Sequence, residues 1–312
     1  MREPQVVLNA SLPRKVTIYE VGPRDGLQNE QSVLPLETKA EFVGRLVAAG
    51  LPIIETTSFV HPRWVPQLAD AGELIDLLAP LAAQHPVPMP VLVPNERGLD
   101  RALEKDIEHI AIFGSATETF AQRNLNRSLD EQFAMFEPVV TRARAAGMQV
   151  RAYVSMCFGD PWEGDVPVDQ VVSVGRRLFD LGASQLSLGD TIGVGTPGHV
   201  SALLAAFGRA GLGMDSLAVH FHDTYGQALS NAAAALHAGI TTFDASAGGL
   251  GGCPYAESAT GNLATEDLVW MLHGLGIDTG VDLARLVATS TWMAAQLGRP
   301  SPSRVVAALS DR

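Results

Sequence analysis

The sequence predicts a (β/α)8 TIM barrel, an α/β fold, with a helical extension at its C-terminal end. Two patterns support this fold class: eight short, β-branched apolar segments recur along the 312 residues, and longer segments with helical periodicity separate them. Strands that alternate with helices form parallel sheets, and a closed barrel needs eight such units. We expect an N-terminal extension over residues 1–14, the barrel over 15–280 and the helical extension over 281–312.

The eight predicted strands are rich in Val, Ile, Thr and aromatic residues and are bounded by turn-forming or charged residues. In chain order they cover residues 15–22, 52–59, 88–94, 109–116, 149–156, 185–191, 217–223 and 241–249. The predicted helices between them include residues 36–50 and 168–183, where apolar side chains recur at i, i+3 and i+4 and glycine stops the pattern. The apolar periodicity after residue 275 predicts further helix packed on the barrel.

Composition and charge argue against several classes of protein. The 34 acidic and 22 basic residues give a net charge of -12, which opposes binding to nucleic acid or to anionic membranes. No apolar run reaches the ~18 residues of a membrane-spanning helix, and the N-terminus lacks the apolar segment typical of a signal peptide. The two cysteines, Cys157 and Cys253, are too few for a disulfide framework. We therefore expect a cytoplasmic protein without nucleic-acid or membrane partners.

Polar residues recur where the predicted strands end, and that end of a barrel carries the functional site. In residues 219–227, VHFHDTYGQ, the side chains of His220 and His222 lie two positions apart on a strand and point to the same side. Two imidazoles directed to one place form a ligand pair for a metal ion, although hydrogen-bonded structural histidines are the alternative. Asp25 and Asn262 are candidate oxygen ligands, and this donor set favours Mg²⁺ or Mn²⁺ over structural zinc.

Several segments together resemble the 3-hydroxy-3-methylglutaryl-CoA lyases, a branch of the metal-dependent lyase and Claisen-type synthase barrels. They are VGPRDGLQNE (21–30), IETTSF (54–59), SLGDTIGVGTPG (187–198), AVHFHDTYGQAL (218–229), GGLGGCPYA (248–256) and GNLATEDLV (261–269). The resemblance implies cleavage of 3-hydroxy-3-methylglutaryl-CoA to acetoacetate and acetyl-CoA, as in leucine degradation. It also implies a divalent metal ion (Mg²⁺ or Mn²⁺) as cofactor, an acyl-CoA substrate and a homodimer.

The resemblance also implies roles for individual residues. The implied metal ligands are Asp25, His220, His222 and Asn262, and the implied catalytic residues are Arg24, Cys253, His220 and Asp25. The implied substrate-binding residues are Arg24, Gln28, Glu55, Tyr153, Ser155, Asp190 and Thr191. Arg24 is expected to stabilise an enolate oxygen, and Cys253 to deliver a proton to the enolate carbon. Whether His220 or Asp25 takes the first proton stays open, and so does the size of the substituent at C3.

Other functions also fit parts of the sequence. Residues 193–198, GVGTPG, match the dinucleotide-binding pattern, with Asp215 about twenty residues further on, so an NAD-dependent oxidoreductase is a second hypothesis. Against it, the pattern follows the sixth strand, and Pro197 suits the first turn of a helix. A non-catalytic binding barrel would not explain polar residues at so many strand ends. A lyase for a longer-branched 3-hydroxyglutaryl-CoA and a Claisen-type synthase are the alternatives nearest to the resemblance.

Overall fold

The computed structural model describes residues 3–252 and 261–310 and confirms the predicted TIM-barrel-like fold. Its strands are β1 (Thr17–Glu20), β2 (Ile53–Ile54), β3 (Thr57–Ser58), β4 (Val91–Leu92), β5 (His109–Ser115), β6 (Gln149–Ser155), β7 (Gln185–Asp190), β8 (Leu217–Phe221) and β9 (Thr242–Ala245). Its helices are α1 (Leu36–Ala48), α2 (Ala71–Gln84), α3 (Glu96–Leu103), α4 (Glu118–Leu125), α5 (Glu131–Ala145), α6 (Val168–Leu181), α7 (Pro197–Arg209), α8 (Ala228–His237), α9 (Thr265–Gly274), α10 (Leu283–Leu297) and α11 (Arg304–Leu309).

The sheet runs in the order β2-β1-β9-β8-β7-β6-β5-β4-β3, and all of its strand pairs are parallel. The strands β2 and β3 are two parts of the second predicted strand, which is interrupted at Glu55 and Thr56. Across the interruption the Glu55 N–H still donates to the Glu20 carbonyl, and the Thr56 N–H donates to the Pro90 carbonyl. The second strand therefore pairs with β1 on one side and with β4 on the other, which closes the barrel.

The helices pack their apolar faces on the outside of the sheet. In α1 the buried side chains include Phe42, Val43 and Leu46, which recur at helical spacing. Helix α6 ends at Gly182, whose φ of 116° lies in the left-handed region that glycine tolerates best. Helix α7 begins with Pro197 in its first turn, as predicted, because proline lacks the N–H that this position leaves unpaired.

The C-terminal segment packs on the barrel beside the ends of the strands that carry the site. Helix α10 contacts α1 and the turn at Ala247–Gly249. Beyond α10, the Ser301 hydroxyl donates to the Gly248 carbonyl at 2.8 Å, and Arg299 pairs with Glu30 in the loop after β1. This segment therefore braces two of the loops that form the mouth of the barrel.

The N-terminal segment lies at the opposite end of the barrel. The Val7 N–H donates to the Gly274 carbonyl at 2.8 Å, and Lys15 forms a β-bridge with Asp278 just before β1 begins. No helix in residues 3–252 and 261–310 combines the length and the apolar character needed to span a bilayer.

Candidate active site

Two histidines and an aspartate meet at the carboxyl end of the strands. His220 belongs to β8 and His222 follows it, and their Nε2 atoms lie 3.1 Å apart. The Nε2 atom of His220 is 3.9 Å from Oδ2 of Asp25, and the ligand atoms of these three residues all lie within 4.8 Å of one another. Asn262, which forms a β-bridge with His222, donates from Nδ2 to Oδ2 of Asp25 at 2.8 Å. The four metal ligands expected from the resemblance are therefore neighbours.

Asp25 and Arg24 sit on a π-helical turn, Gly22–Gly26, directly after β1. The N–H groups of Arg24, Asp25 and Gly26 all point at the Val21 carbonyl, which winds the chain tightly enough to direct two adjacent charged side chains inward. Glycine is needed at both ends of the turn: a Cβ at Gly22 would lie 2.6 Å from the Glu20 carboxylate and one at Gly26 would lie 2.8 Å from the Cβ of Leu250. The backbone of this turn thus fixes where the two functional groups point.

The guanidinium of Arg24 is buried and fixed on two sides. Its Nε donates to Oε2 of Glu55 at 2.8 Å, its Nη1 donates to Oδ1 of Asp25 at 2.7 Å, and it lies over the Tyr153 ring at 5.1 Å. Burial alone would lower the pKa of Arg24, but the carboxylates of Glu55 and Asp25 raise it well above its usual value. Arg24 is therefore a permanent cation, and neither hydrogen bond uses Nη2.

The neighbouring groups shift one another's ionisation. Burial would raise the pKa of Asp25, but the charge of Arg24 and the nearby histidines lower it to about 2. Burial lowers the pKa of His222 to about 4, with His220 adding to the effect. For His220 the burial effect is outweighed by its hydrogen bond to Asp244 and by the charges of Asp25 and Asp244, so its pKa is raised. The cluster holds an ionised carboxylate next to two imidazoles of unequal basicity.

The residues present fit a divalent metal ion. Two imidazole nitrogens and carboxylate oxygens converge within bonding reach of a common point. Within the described part of the chain, the buried side-chain oxygen of Asn262 has no hydrogen-bond partner, although its Nδ2 has two acceptors. A buried acceptor without a partner is costly, and coordination of a cation would satisfy it. Asp25, His220, His222 and Asn262 are thus the donors that could hold the ion.

A cavity of about 530 Å³ opens directly above this cluster. The predicted residues Arg24, Asp25, Gln28, Tyr153, Ser155, Thr191, His220 and His222 all line it. Apolar side chains form another part of its lining and include Leu92, Phe113 and Met135, and Trp64, which is 80% exposed, also lines the cavity. The sequence reasoning missed this apolar lining because apolar residues at strand ends cannot be distinguished from core residues by pattern. The cavity suits a ligand with one polar and one apolar face.

Two residues expected in the pocket do not line the cavity. Glu55 is fully buried beneath Arg24, where its carboxylate serves as the acceptor for Arg24 and Tyr153. Asp190 is 1% exposed and accepts a hydrogen bond from the Gly195 N–H at both carboxylate oxygens, 3.1 and 3.0 Å away. Burial raises the pKa of Asp190 to about 6, even though these backbone donors oppose the shift. Both carboxylates therefore lie behind the residues that line the cavity.

Cys253 lies outside the described residues, in the gap between 252 and 261. The residue before it, Gly252, lines the cavity, and its carbonyl accepts a hydrogen bond from Nδ2 of Asn29 at 2.8 Å. The preceding Gly251 has a φ of 108°, and a Cβ there would lie 2.6 Å from Nδ2 of Asn262. The residue immediately before Cys253 therefore lies at the mouth of the cavity.

The glycine-containing turn at 193–198 is filled by the protein itself. The Gly195 N–H, which a dinucleotide diphosphate would need, donates to Asp190. Gly193 adopts a φ of 72°, and a Cβ there would lie 2.5 Å from Oγ1 of Thr224. Both glycines therefore serve the packing of this loop against its neighbours, and the geometry weighs against the oxidoreductase hypothesis.

The fold and the site together define a barrel enzyme whose mouth carries an Arg-Asp pair beside a His-x-His metal-ligand group. Residues 15–293 match the model of the HMGL-like family. Because this match covers most of the sequence, the chain belongs to the HMGL-like family.

The similar curated proteins are hydroxymethylglutaryl-CoA lyases, some named as mitochondrial and some as cytoplasmic. The chain is 48% identical over 295 residues to the mitochondrial hydroxymethylglutaryl-CoA lyase of Gallus gallus, covering 95% of this chain and 98% of that protein. It is 47% identical to the mitochondrial enzyme of Arabidopsis thaliana, covering 98% of this chain and 64% of the relative, so it spans just under two thirds of that protein's length. A Rattus norvegicus relative named as cytoplasmic is 45% identical, with 96% of this chain and 86% of that protein covered.

Solved structures show the same likeness. The HMG-CoA lyase of Bacillus subtilis superimposes with a TM-score of 0.92 at 45% identity, covering 96% of this chain and 99% of that chain. An HMG-CoA lyase from Acinetobacter baumannii, in complex with coenzyme A and 3-methylmalate, gives a TM-score of 0.89 at 33% identity, covering 98% and 99% of the two chains. The fold and the family thus agree with the resemblance found in the sequence.

Proposed function

We propose that this protein is a hydroxymethylglutaryl-CoA lyase that cleaves 3-hydroxy-3-methylglutaryl-CoA into acetoacetate and acetyl-CoA. The observation that carries the proposal is the pairing of Arg24 with the Asp25, His220 and His222 cluster on one side of a single cavity. Carbon-carbon cleavage next to a tertiary alcohol requires that the hydroxyl become more acidic and that a cation stabilise the departing enolate. The ligand cluster would serve the first requirement, and Arg24, next to it, would serve the second. The identity of the curated relatives supports the same activity.

Asp25, His220, His222 and Asn262 would hold a divalent ion. When bound, the ion supplies a Lewis acid that lowers the pKa of the substrate hydroxyl. We propose Mg²⁺ or Mn²⁺ as this ion. Imidazole nitrogens together with carboxylate and amide oxygens form a donor set that suits these ions.

The structure favours Asp25 over His220 as the acceptor of the hydroxyl proton. The imidazole of His220 has two nitrogens: Nε2 faces the other ligands, and Nδ1 lies 3.2 Å from Asp244. With both nitrogens engaged, His220 has no lone pair to spare. Each carboxylate oxygen of Asp25 keeps a lone pair beyond those used by Arg24 and Asn262. We therefore assign the first proton transfer to Asp25.

Arg24 would stabilise the thioester enolate as its negative charge develops. The guanidinium is oriented in advance by Glu55 and Asp25, so it needs no reorganisation during the reaction, and Nη2 is left to donate to the enolate oxygen. A planar, permanently charged fork of donors suits this role better than a lysine ammonium. The enolate carbon must then receive a proton, a step we assign to the thiol of Cys253.

The direct test is to supply the purified protein with 3-hydroxy-3-methylglutaryl-CoA and Mg²⁺ and to quantify acetoacetate and acetyl-CoA. We expect stoichiometric release of both products. Binding of the thioester without acetoacetate would refute lyase activity. Substrates with longer branches at C3 should be compared in the same assay, because the apolar wall formed by Leu92, Phe113 and Met135 faces the cavity and would contact that substituent.

We further propose a cytoplasmic location and a homodimeric state, with no nucleic-acid or membrane partner. The net charge of -12 supports the absence of anionic partners. Light scattering of the purified protein at several concentrations decides between monomer and dimer, and fractionation of the source cells decides the location.

A further inference from the structure

The two histidines of the cluster have different surroundings, although they are neighbours on the same face. Nδ1 of His220 lies 3.2 Å from Oδ2 of Asp244, a residue on the adjacent strand β9. Nδ1 of His222 is buried and pairs with no carboxylate among residues 3–252 and 261–310. One ring is anchored by a carboxylate and the other is not.

The carboxylate of Asp244 is itself fixed by donors. Arg151 approaches it with two nitrogens, Nη1 to Oδ2 at 3.2 Å and Nη2 to Oδ1 at 2.5 Å, and the Ser187 hydroxyl donates to Oδ2 at 2.7 Å. Arg151 in turn lies over the Tyr19 ring at 3.9 Å and the Tyr153 ring at 4.9 Å. Arg151, Ser187 and Asp244 are all buried, so the position of Asp244 is set by contacts inside the barrel.

An ionised carboxylate accepts hydrogen bonds and cannot donate them. Because Asp244 is paired with the guanidinium of Arg151, it remains ionised, and the His220 nitrogen that faces it must carry a proton. That proton on Nδ1 leaves the lone pair for coordination on Nε2, the atom that faces Asp25 and His222. The barrel interior therefore determines which nitrogen of His220 is presented to the site.

We propose that Asp244 is a positioning residue: it holds His220 in the form with a proton on Nδ1 and so prepares Nε2 as a metal ligand, while Arg151 and Ser187 hold Asp244 in place. The proposal rests on the metal site of the proposed function but not on the lyase reaction. Under this proposal His220 is the preorganised ligand of the two histidines. The buried ion pair of Arg151 and Asp244, which lies outside the cavity lining, then has a role in preparing the site. Outer partners of this kind typically contribute about 10- to 100-fold to metal affinity.

The test compares Asp244→Asn with the wild type by titration with Mn²⁺ alone, followed by electron paramagnetic resonance of the free ion. We expect the variant to bind Mn²⁺ about 10- to 100-fold more weakly. The matched control is Asp160→Asn, which places an amide at another buried aspartate, one held by Thr117 and distant in sequence from the ligands. Melting temperatures of all three proteins show whether they are folded. A folded Asp244→Asn protein with wild-type Mn²⁺ affinity would overturn the proposal.

A second measurement needs no variant at position 244. Long-range nitrogen-proton spectra of ¹⁵N-histidine-labelled wild type, at mildly alkaline pH and without metal, report which ring nitrogen of His220 carries a proton. A proton on Nδ1 supports the proposal, and a bare Nδ1 contradicts it even if Asp244→Asn does not fold. The signal is assigned by its loss in His220→Gln. Wild type that binds Mn²⁺ but releases no acetoacetate would refute the lyase assignment and leave the role of Asp244 intact.

Discussion

Glu55 accepts a hydrogen bond from Nε of Arg24 at 2.8 Å, and the same carboxylate oxygen accepts the Tyr153 hydroxyl at 2.8 Å. Glu55 is fully buried, and this oxygen is shared between two protein donors. Burial raises the pKa of Glu55, while the guanidinium of Arg24 opposes the shift. The hydrogen bond to Glu55 orients the guanidinium of Arg24 from its buried side, and Arg24 also lines the cavity.

Arg24→Met should lower kcat by about 10²- to 10³-fold while leaving the fold and Mn²⁺ affinity close to wild type, because it removes a donor aimed at developing negative charge. Arg24→Lys should restore only part of the rate, since an ammonium cannot keep the contacts to Glu55 and Asp25 at once. Steady-state kinetics measure both. If Arg24→Met raised KM and left kcat unchanged, Arg24 would be a ground-state anchor.

Exhaustive chelation should abolish acetoacetate release, and added Mg²⁺ or Mn²⁺ should restore it. His222→Ala removes a ligand and should lower Mn²⁺ affinity as well as the rate. The matched control, His237→Ala, changes an exposed histidine in the last turn of α8 and should leave both unchanged. Titration of metal content against activity provides the measurement. Full turnover in the chelated protein would refute a metal requirement.

The two cysteines should respond in opposite ways to replacement by serine. Cys253→Ser should lower kcat by about 10²- to 10⁴-fold with little change in melting temperature, because a hydroxyl is a far weaker acid than a thiol. Cys157→Ser should lower stability by about 1–2 kcal/mol and leave kcat nearly unchanged, because Cys157 is fully buried and its thiol donates to the Val154 carbonyl. Both values should be measured on the same preparations. A destabilised but active Cys253→Ser enzyme would remove Cys253 from the mechanism.

Stability should fall as the pH rises from about 5 to about 8. Burial raises the pKa of Glu266 from 4.5 to about 8, although hydrogen bonds from Ser290 and Gly248 oppose the shift. Between these two pH values the folded protein binds more protons than the unfolded chain, so this contribution is fully present below pH 4.5 and is lost as the pH rises through about 8. Burial raises the pKa of Glu20 in the same direction, to about 7.

Glu266→Gln should remove the part of this pH dependence that Glu266 contributes, roughly 2–5 kcal/mol between the two limits, and should leave the part that Glu20 contributes. Urea unfolding at both ends of the range gives the free energies. Glu137→Gln, an exposed substitution on α5, should keep the wild-type slope. Equal slopes in the wild type and in Glu266→Gln would show that Glu266 is ionised in the folded protein throughout.

The barrel could be predicted from the sequence because each strand is a short apolar segment that can be recognised from its own residues. The segment that contains His220 is a short apolar run with histidines at two alternate positions, and the period of two in a strand predicts that both lie on one face. Contacts between distant strands leave no such local signal. The pairing of Arg151 on β6 with Asp244 on β9 joins residues far apart in the chain, and neither flanking sequence indicates it. The ligand cluster could therefore be expected from the sequence, whereas the buried ion pair behind it could not.

The sequence also does not indicate whether a polar side chain at a strand end reaches the cavity or is buried behind it. Glu55 and Asp190 lie at strand ends, where polar residues commonly reach the pocket. Glu55 falls at the interruption of the second strand and points beneath Arg24, and Asp190 is captured by the Gly195 N–H. Both outcomes depend on turns whose shape follows from packing and not from residue type. The shape of the glycine turn at 193–198 also follows from packing, because the Gly195 N–H donates to Asp190.

The two ends of the described chain leave the barrel on opposite faces. The N-terminal segment runs along the closed end, where the Val7 N–H meets the Gly274 carbonyl, whereas Arg299 and Ser301 brace the loops at the mouth. An enzyme tethered to a solid support through its N-terminal side should therefore turn its cavity toward the solution and remain accessible to a bulky thioester. Tethering through the C-terminal side should pull on the segment that supports Glu30 and Gly248. Immobilised preparations of the two orientations should differ in turnover per molecule bound.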